Sequence, residues 1–215
     1  MKKIVIFDLD GTLLNSVADL AKATNHALAL LGFPQHPQEA YRRFVGNGIN
    51  KLFERALPDG AKTEDNVLKV REQFIPYYNE HKSDCTRPYE GVEELLHSLA
   101  QKGVCMAIAS NKYIAATTQL VDKFFPHIPF AVVLGQRDGV PVKPHPQIIQ
   151  DILQQTGYTP ADVLYVGDTM VDMQTAHNAG VDVVAVTWGF RTRQELEAEH
   201  PTYVVNHPSE ILDLL

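Results

Sequence analysis

The sequence has few of the features that mark secreted, membrane-spanning or nucleic-acid-binding proteins. Its two cysteines, Cys85 and Cys105, form neither a disulfide framework nor a zinc-binding spacing. No run approaches the ~18 apolar residues that a membrane span needs. The lysines and arginines are scattered, so no basic face for nucleic acid is visible. We therefore expect a cytoplasmic protein that engages neither membranes nor nucleic acid.

The chain has fewer basic than acidic residues, and its formal net charge is -7. A negative protein repels small anions at long range, so any anionic substrate has to be attracted by a local site. Hydrophobic residues make up 45% of the chain and charged residues 21%, which is typical of a globular protein with a sizeable core.

Short apolar runs alternate with helical patterns over most of the chain. Such runs indicate buried strands, and the alternation predicts an α/β fold with a doubly wound, Rossmann-like parallel sheet. A short sixth strand is predicted at Tyr203–Val205. The other predicted strands are Ile4–Phe7, Val104–Ala109, Phe130–Leu134, Val163–Val166 and Val181–Val186.

The stretch 15–84 interrupts this alternation, because it contains helical patterns and no convincing strand. We predict that residues 1–14 and 85–215 form an α/β core domain, and that residues 15–84 form an inserted helical cap domain. The hinges are expected near Asn15 and around Ser83–Pro88.

Two features of this stretch predict how its helices begin and end. Ser16 is expected to cap the first helix with its hydroxyl, because a side-chain oxygen there accepts from free backbone N–H groups. A second long helical pattern covers Glu64–Lys82. Pro76 lies inside it and is expected to kink or split the helix, because proline lacks the N–H donor.

A pair of carboxylates follows the first predicted strand. Asp8 and Asp10 are two residues apart, and in an extended segment such side chains point the same way. Both are therefore expected to face the crevice at the carboxyl end of the sheet, where open α/β folds bind ligands. Gly11 lets the backbone approach a phosphate closely. Neither EF-hand spacing nor G-x-G-x-x-G is present, so a calcium loop and a dinucleotide fold are excluded.

A second pair of carboxylates follows the predicted strand Val163–Val166. If a helix runs from Thr169 onward, Asp168 and Asp172 lie one turn apart on one face. Together with Asp8, their oxygens could bind a hard cation, and magnesium needs only one or two carboxylates plus phosphate and waters. Taken alone, Asp168 also fits an ordinary helix N-cap.

A lysine and a hydroxyl complete the set. Lys143 stands between prolines, where a rigidly held cation could neutralise a phosphate, although a surface lysine fits equally well. Ser110 directly follows the strand Val104–Ala109, where it could donate to a phosphate oxygen or cap a helix.

The two carboxylate pairs, Lys143 and Ser110 all fall at or after the carboxyl ends of predicted strands. They supply a nucleophile, an acid, a donor, a cation and metal ligands, which fits phosphoryl transfer.

These residues resemble the four motifs of the haloacid dehalogenase superfamily, in the same order along the chain. Within it, the sequence is most similar to phosphoglycolate phosphatases, and the similarity rests on Asp8–Ser16, on Val45–Gly48 and on Ser110–Lys112. The helical insert resembles the smaller helical cap type of the superfamily. The matching motifs are Asp8–Thr12, Ser110, Lys143 and Gly167–Asp172.

The resemblance implies a mechanism of covalent catalysis. Asp8 would attack phosphorus to form an aspartyl-phosphate, and Asp10 would protonate the leaving oxygen and then activate water. Ser110 and Lys143 would hold the transferring group. Mg²⁺ is implied as the cofactor.

The resemblance also implies a metal-binding set and supporting residues. Asp8, Asp168 and the backbone carbonyl of Asp10 would bind Mg²⁺. Asp172 would support the metal site or position Lys143. The other supporting residues are Thr12 and Asn111.

The cap is expected to bind the non-reacting end of the substrate. Arg42 could pair with a carboxylate such as that of glycolate phosphate. Around it, the glycines at 46 and 48 could form a loop that closes on the substrate. The predicted substrate-binding residues are Arg42, Gly46, Asn47 and Gly48.

Several functions stay open at this level. The first expectation is hydrolysis of a small phosphorylated metabolite similar to phosphoglycolate, by a monomer or homodimer. The alternatives are a pyrophosphatase or nucleotidase, a sugar-phosphate mutase, and a phosphate-binding module without turnover. A phosphonate-cleaving enzyme would need a cap lysine, for which Lys22 and Lys51 are available. Carbon–halogen cleavage is disfavoured, because dehalogenases of this fold lack an acid where Asp10 stands.

Overall fold

The computed structural model describes all 215 residues. Its α-helices are α1 (Val17–Leu30), α2 (Gln38–Phe44), α3 (Ile49–Ala56), α4 (Glu64–His81), α5 (Val92–Gln101), α6 (Ile114–Phe124), α7 (Gln147–Thr156), α8 (Met170–Ala179) and α9 (Arg193–Glu197). Its strands are β1 (Ile4–Phe7), β2 (Leu14–Asn15), β3 (Arg87–Pro88), β4 (Cys105–Tyr113), β5 (Phe130–Gln136), β6 (Val163–Gly167), β7 (Asp182–Val186) and β8 (Tyr203–Val205).

Six of the strands form one parallel sheet in the order β5-β4-β1-β6-β7-β8. From β1 the chain first builds outward through β4 to β5, and it then returns to build β6, β7 and β8 on the other side. This order confirms the predicted α/β fold and all six predicted strands. It also makes the carboxyl end of β1 the point where the strand order reverses, which is where such sheets bind ligands.

Helices cover both faces of the sheet, and β1 shows why its sequence is apolar throughout. Val5 and Phe7 belong to the hydrophobic cluster under α5 and α6. Ile4 and Ile6 belong to the cluster on the opposite face, under α7 and α8. Because successive side chains of a strand point to opposite faces, a strand that is covered on both sides has no position for a polar residue.

Helices α1 to α4 form a separate layer with its own hydrophobic cluster. Phe74 of α4 lies at its centre, stacked on Tyr78 and edge-on to Phe53 of α3. Two core residues, Ala116 and Phe190, also belong to this cluster. The cap segment is therefore packed onto the core. The division into domains at residues 14/15 and 84/85 stays a prediction.

Two local predictions about this helical segment need correction. Pro76 does not split the helical pattern, which was one of the two predicted outcomes, since α4 runs as one helix of 18 residues through it. Ser16 stands at the N-cap position of α1, but its hydroxyl makes no cap bond and donates to Asp10 Oδ1 at 2.5 Å. The segment begins and ends at an antiparallel pair, in which β2 lies beside β3. None of the helices combines the length and the apolar character that crossing a membrane requires.

Candidate active site

A small cavity of about 30 Å³ lies between the carboxyl end of β1 and the helical segment. Asp8 and Asp10 both line it, as predicted, although both lie just beyond the end of β1 rather than in an extended strand. The other lining residues are Leu20, Val45, Gly46, Gly48, Ile49, Leu52, Ser110, Asn111 and Lys112.

Lys143 connects two of the predicted carboxylates. Its ammonium group donates to Asp8 Oδ1 at 2.8 Å and to Asp172 Oδ1 at 2.7 Å. It also donates to the Ala109 carbonyl at 2.9 Å and to the Tyr165 hydroxyl at 3.0 Å. Lys143 is buried, and these partners fix its position. The alternative prediction, that Lys143 is a surface lysine, is therefore wrong.

Asp168 is enclosed between two glycines. A Cβ atom at Gly11 would lie 2.2 Å from Asp168 Oδ2, and one at Gly189 would lie 2.4 Å from the same atom. Any side chain at either position would therefore displace the carboxylate. Two donors hold it in place, Thr12 Oγ1 on Oδ1 at 3.2 Å and the Phe190 N–H on Oδ2 at 2.7 Å. Thr12 thus contacts the site as a supporting residue.

The predicted placement of Asp168 and Asp172 on one helical face needs a correction. Helix α8 begins at Met170, so Asp168 precedes it and does not share a helical face with Asp172. Asp172 instead closes the first turn, where its Oδ2 accepts from the Thr169 hydroxyl at 2.7 Å and from the Thr169 N–H at 3.1 Å. The strand-to-helix turn still brings the two carboxylates together.

The carboxylates of Asp8, Asp168 and Asp172 offer oxygens that all lie within 4.8 Å of one another. Burial raises the pKa of Asp8 to about 7, against the opposing effect of Lys143. Burial, together with the charges of Asp172 and Asp8, raises the pKa of Asp168 well above its usual range. Lys143 bonds to the other two carboxylates but not to Asp168. A buried set of oxygen donors with excess negative charge fits a hard cation such as Mg²⁺.

The side chain of Asp10 points away from this cluster. Its Oδ2 pairs with Lys112 Nζ at 2.8 Å, and its Oδ1 accepts from Ser16. The Asp10 side chain is therefore engaged elsewhere, and its backbone carbonyl as a metal ligand stays a prediction. Burial opposes the charge of Lys112, but Asp10 and Tyr78 outweigh this effect and raise its pKa.

Ser110 and Asn111 belong to β4 itself, because this strand continues to Tyr113 and does not end at Ala109 as predicted. Ser110 is buried and lines the cavity. Asn111 joins the backbone of Lys143 to the cap. Its amide donates to the Lys143 carbonyl at 3.0 Å and to the Gly46 carbonyl of the cap at 3.1 Å, and its oxygen accepts from the Lys143 N–H at 2.9 Å.

The predicted cap residues divide into two groups. Gly46 and Gly48 line the cavity, and both have positive φ, at 126° and 80°. Arg42 and Asn47 lie outside it. Arg42 donates to the Gly189 carbonyl at 3.0 Å, and the Asn47 side chain accepts from Arg55 at 2.6 Å. The cap therefore presents no arginine to the cavity.

The sequence analysis assigned no role to four residues near the site, and of these it noted Lys112 only as part of the motif Ser110–Lys112. Lys112 and Tyr165 each stand in an apolar strand, and a polar side chain in such a run is the signal that could have found them. Tyr78 of α4 and Arg191 gave no such signal. Arg191 donates to three cap carbonyls, those of residues 42, 43 and 45. These contacts depend on how the cap packs on the core, which the local sequence does not encode.

Comparison with known proteins identifies the family to which this chain belongs. The model of the family described as haloacid dehalogenase-like hydrolase matches residues 5–186. A phosphoglycolate phosphatase of Haemophilus influenzae is 36% identical over 220 residues, which cover 99% of this chain and 98% of that protein. A phosphoglycolate phosphatase of Pseudomonas putida is 36% identical over 210 residues, with 96% and 77% covered.

A solved structure from Haemophilus somnus, described as a predicted phosphoglycolate phosphatase, superposes with a TM-score of 0.91 at 32% identity. The match covers 99% of this chain and 97% of that one. These comparisons confirm the resemblance seen in the sequence. The chain belongs to the haloacid dehalogenase-like hydrolase family and is a phosphatase of that family.

Proposed function

We propose that this protein is a Mg²⁺-dependent phosphatase that hydrolyses a small, phosphoglycolate-like phosphomonoester through an aspartyl-phosphate on Asp8. The observation that carries the proposal is the position of Asp8. It lines the cavity, is bonded to Lys143 and lies within reach of two further buried carboxylates.

Asp8 would act as the nucleophile, and Asp10 as the acid and base. Both carboxylates line the cavity, and they belong to different networks, one around Lys143 and one around Lys112. Such a separation suits two roles, because one group must stay ionised to attack while the other carries a proton to the leaving oxygen. Asp10 would then take a proton from the water that hydrolyses the intermediate.

Lys143 and Ser110 would hold the transferring phosphoryl group. The Lys143 ammonium has three N–H groups but four acceptors within 3.0 Å. An arriving phosphoryl oxygen would therefore replace one of these acceptors rather than find a free donor. Ser110, at the cavity wall, would donate its hydroxyl to a second phosphoryl oxygen. Asn111 would hold the Lys143 backbone in place.

Mg²⁺ would be held by Asp8, Asp168 and the Asp10 carbonyl, and it would stabilise negative charge on the phosphoryl oxygens. Asp172 would act through Lys143, to which it is bonded at 2.7 Å. Thr12 would keep Asp168 oriented.

The lining of the cavity bears on how the non-reacting end of the substrate is bound. The predicted pairing of a substrate carboxylate with Arg42 is not supported, since this side chain lies outside the cavity. The start of α3 is the alternative, because Gly48 precedes this helix, lines the cavity and leaves backbone N–H groups uncovered.

The relatives named phosphoglycolate phosphatase also support this substrate class. A cytoplasmic location and a monomeric or homodimeric state accompany the proposal as predictions.

Phosphate release from a panel of substrates tests the proposal. The panel contains 2-phosphoglycolate, ethyl phosphate, p-nitrophenyl phosphate, a nucleotide and pyrophosphate, each with and without Mg²⁺. We expect Mg²⁺-dependent release led by 2-phosphoglycolate in kcat/KM, and none from Asp8→Asn with an unchanged circular dichroism spectrum. Mass spectrometry of acid-quenched wild type is expected to find phosphate on Asp8.

Other results would separate the parts of the proposal. Release led by another substrate would retain the mechanism and discard the substrate class. Release by a folded Asp8→Asn variant at the wild-type rate would overturn the mechanism. No release from any member would contradict a phosphatase of small esters, and sugar-phosphate isomerisation would then be assayed.

A further inference from the structure

Lys112 links the acid–base carboxylate to the helical cap. Its side chain is only 2% exposed, and its ammonium pairs with Asp10 Oδ2 at 2.8 Å. The same ammonium donates to the Tyr78 hydroxyl at 2.8 Å. Tyr78 belongs to α4 of the cap, whereas Lys112 belongs to β4 of the sheet, so one side chain joins the two layers at the cavity.

The Tyr78 end of this link is held firmly. Its ring is fully buried and stacks on Phe74 with centroids 4.9 Å apart. The Lys112 ammonium also lies 4.8 Å from the centre of the Tyr78 ring. A displacement of α4 would therefore remove both the hydroxyl and the ring from Lys112 and leave its buried charge with Asp10 alone.

We propose that Lys112 is a positioning residue that makes the orientation of the Asp10 carboxylate depend on the seating of α4 through Tyr78. The inference rests on the proposed function, in which Asp10 is the acid and base. Asp10 then reaches its working orientation only when the cap is seated. The leaving oxygen of an ester bound under an unseated cap does not receive a proton, so the aspartyl-phosphate does not form before the cavity closes.

A role of Lys112 in binding the substrate carboxylate is the competing explanation. The geometry supports positioning, because two of the three N–H groups of the ammonium are taken by Asp10 and Tyr78 at 2.8 Å and a single N–H is left for a substrate. The two roles differ in the substrates that they affect. Positioning of Asp10 affects every ester whose leaving oxygen needs a proton, whereas carboxylate binding affects 2-phosphoglycolate alone.

The test compares kcat/KM of Lys112→Met and Tyr78→Phe on three esters. Ethyl phosphate and 2-phosphoglycolate release alkoxides that need a proton, whereas p-nitrophenyl phosphate releases a stable phenolate. The ratio kcat/KM reports the steps up to departure of the leaving group, so hydrolysis of the intermediate does not obscure it. Tyr113→Phe is the matched control, because it removes the neighbouring bond to the cap, from Tyr113 to Asn79 at 2.7 Å.

For Lys112→Met we expect a loss of ~10²-fold on both alkyl esters and of less than ~3-fold on p-nitrophenyl phosphate. For Tyr78→Phe, which keeps the ring in its packing, we expect a loss of ~10-fold on the alkyl esters only, the equivalent of one hydrogen bond. The double variant is expected to lose no more than Lys112→Met, because the two residues act in series.

Three results would overturn the inference. The first is an equal loss on all three esters, and the second is a loss confined to 2-phosphoglycolate. The third is an equal effect of Tyr78→Phe and Tyr113→Phe, which would indicate general weakening of the cap. Melting curves identify a variant that fails to fold, and Tyr78→Phe then carries the test. Failure of the proposed function is separate, since it would appear as wild type without Asp8-dependent release.

Discussion

The two sides of the cavity are lined by different kinds of residue. On the sheet side, charged groups are bonded to one another or to neighbouring donors: Lys143 bonds to Asp8 and Asp172, and Asp168 accepts from Thr12 and from the Phe190 N–H. The cap side offers apolar side chains and backbone. It contributes Leu20, Val45, Gly46, Gly48, Ile49 and Leu52.

The cap's own arginines are engaged elsewhere, with Arg42 on a core carbonyl and Arg55 on Asn47. From this difference we expect reactivity to depend mainly on the sheet and selectivity on the shape and backbone of the cavity-lining part of the cap. Changes to Asp8, Lys143 or Asp168 should then lower the rates for every substrate, and changes to the cap residues that line the cavity should alter the ranking of substrates.

Asp10→Asn should have the largest effect and sharpen the comparison. Without an acid at this position, we expect kcat on 2-phosphoglycolate to fall by ~10²–10⁴-fold. With p-nitrophenyl phosphate the first step needs no proton, but hydrolysis of the intermediate needs the base. Stopped-flow measurement should therefore show a burst of p-nitrophenolate followed by slow turnover. A normal steady-state rate in this variant would remove Asp10 from both steps.

Asp168→Asn should abolish stabilisation by the metal. Binding at a hundred times Kd contributes about 2.7 kcal/mol to the free energy of unfolding. We expect Mg²⁺ to raise the Tm of the wild type by roughly 5–10 °C. This shift should disappear in Asp168→Asn, and it should persist in Asp65→Asn, which changes an exposed carboxylate paired with Lys69. Equal shifts in all three proteins, measured by scanning fluorimetry, would contradict a metal site at Asp168.

Gly46→Ala should change selectivity rather than chemistry. The φ of 126° at this cavity-lining position is unfavourable for alanine, and the strain of about 1–3 kcal/mol should shift the loop. We expect KM for 2-phosphoglycolate to rise ~10-fold while kcat stays within ~3-fold of the wild type.

Gly32→Ala is the matched control for this change. Gly32 has a φ of 74° and open space around it, and it does not line the cavity. It should lose stability without any change in KM. Equal effects of the two substitutions on KM would show that strain in the cap, rather than the cavity wall, is responsible.

Arg42→Met should have the smallest effect, and it is the change that could break the comparison. Since Arg42 contacts the Gly189 carbonyl and not the cavity, we expect kcat/KM for every ester to stay within ~3-fold of the wild type. A loss of ~10²-fold confined to 2-phosphoglycolate would be expected of an arginine paired with the substrate carboxylate. That result would return Arg42 to the role that the sequence predicted.

The same two sides explain how much the sequence could predict. The inner strands, such as β1 and β6, could be predicted because each is covered on both faces and must be apolar. Polar residues at their ends are conspicuous for that reason. The parallel sheet then brings residues as distant in sequence as Asp8, Lys143 and Asp168 to one edge. Their individual roles stay predictions, because no contact by itself assigns a nucleophile or an acid.

The cap could not be predicted with the same precision. Whether Arg42 faces the cavity depends on how α2 sits on the loop that follows β7, and no local pattern encodes this. The hydroxyl of Ser16 was expected to cap α1, but it donates to the Asp10 carboxylate instead. Pro76 was expected to kink or split α4, but packing of Phe74 and Tyr78 in the cap cluster holds it together as one helix.

The ribbon of β2 and β3 holds the start and the end of the helical segment side by side, with Leu14 opposite Pro88 and Asn15 opposite Arg87. A segment joined to its host at two neighbouring points can be long, short or absent without leaving a gap in the host chain. Evolution can therefore lengthen, trim or replace the segment without shifting the register of the six-stranded sheet. If the cap binds the substrate as proposed, the carboxylate cluster stays with the sheet while the range of substrates can change with the inserted segment.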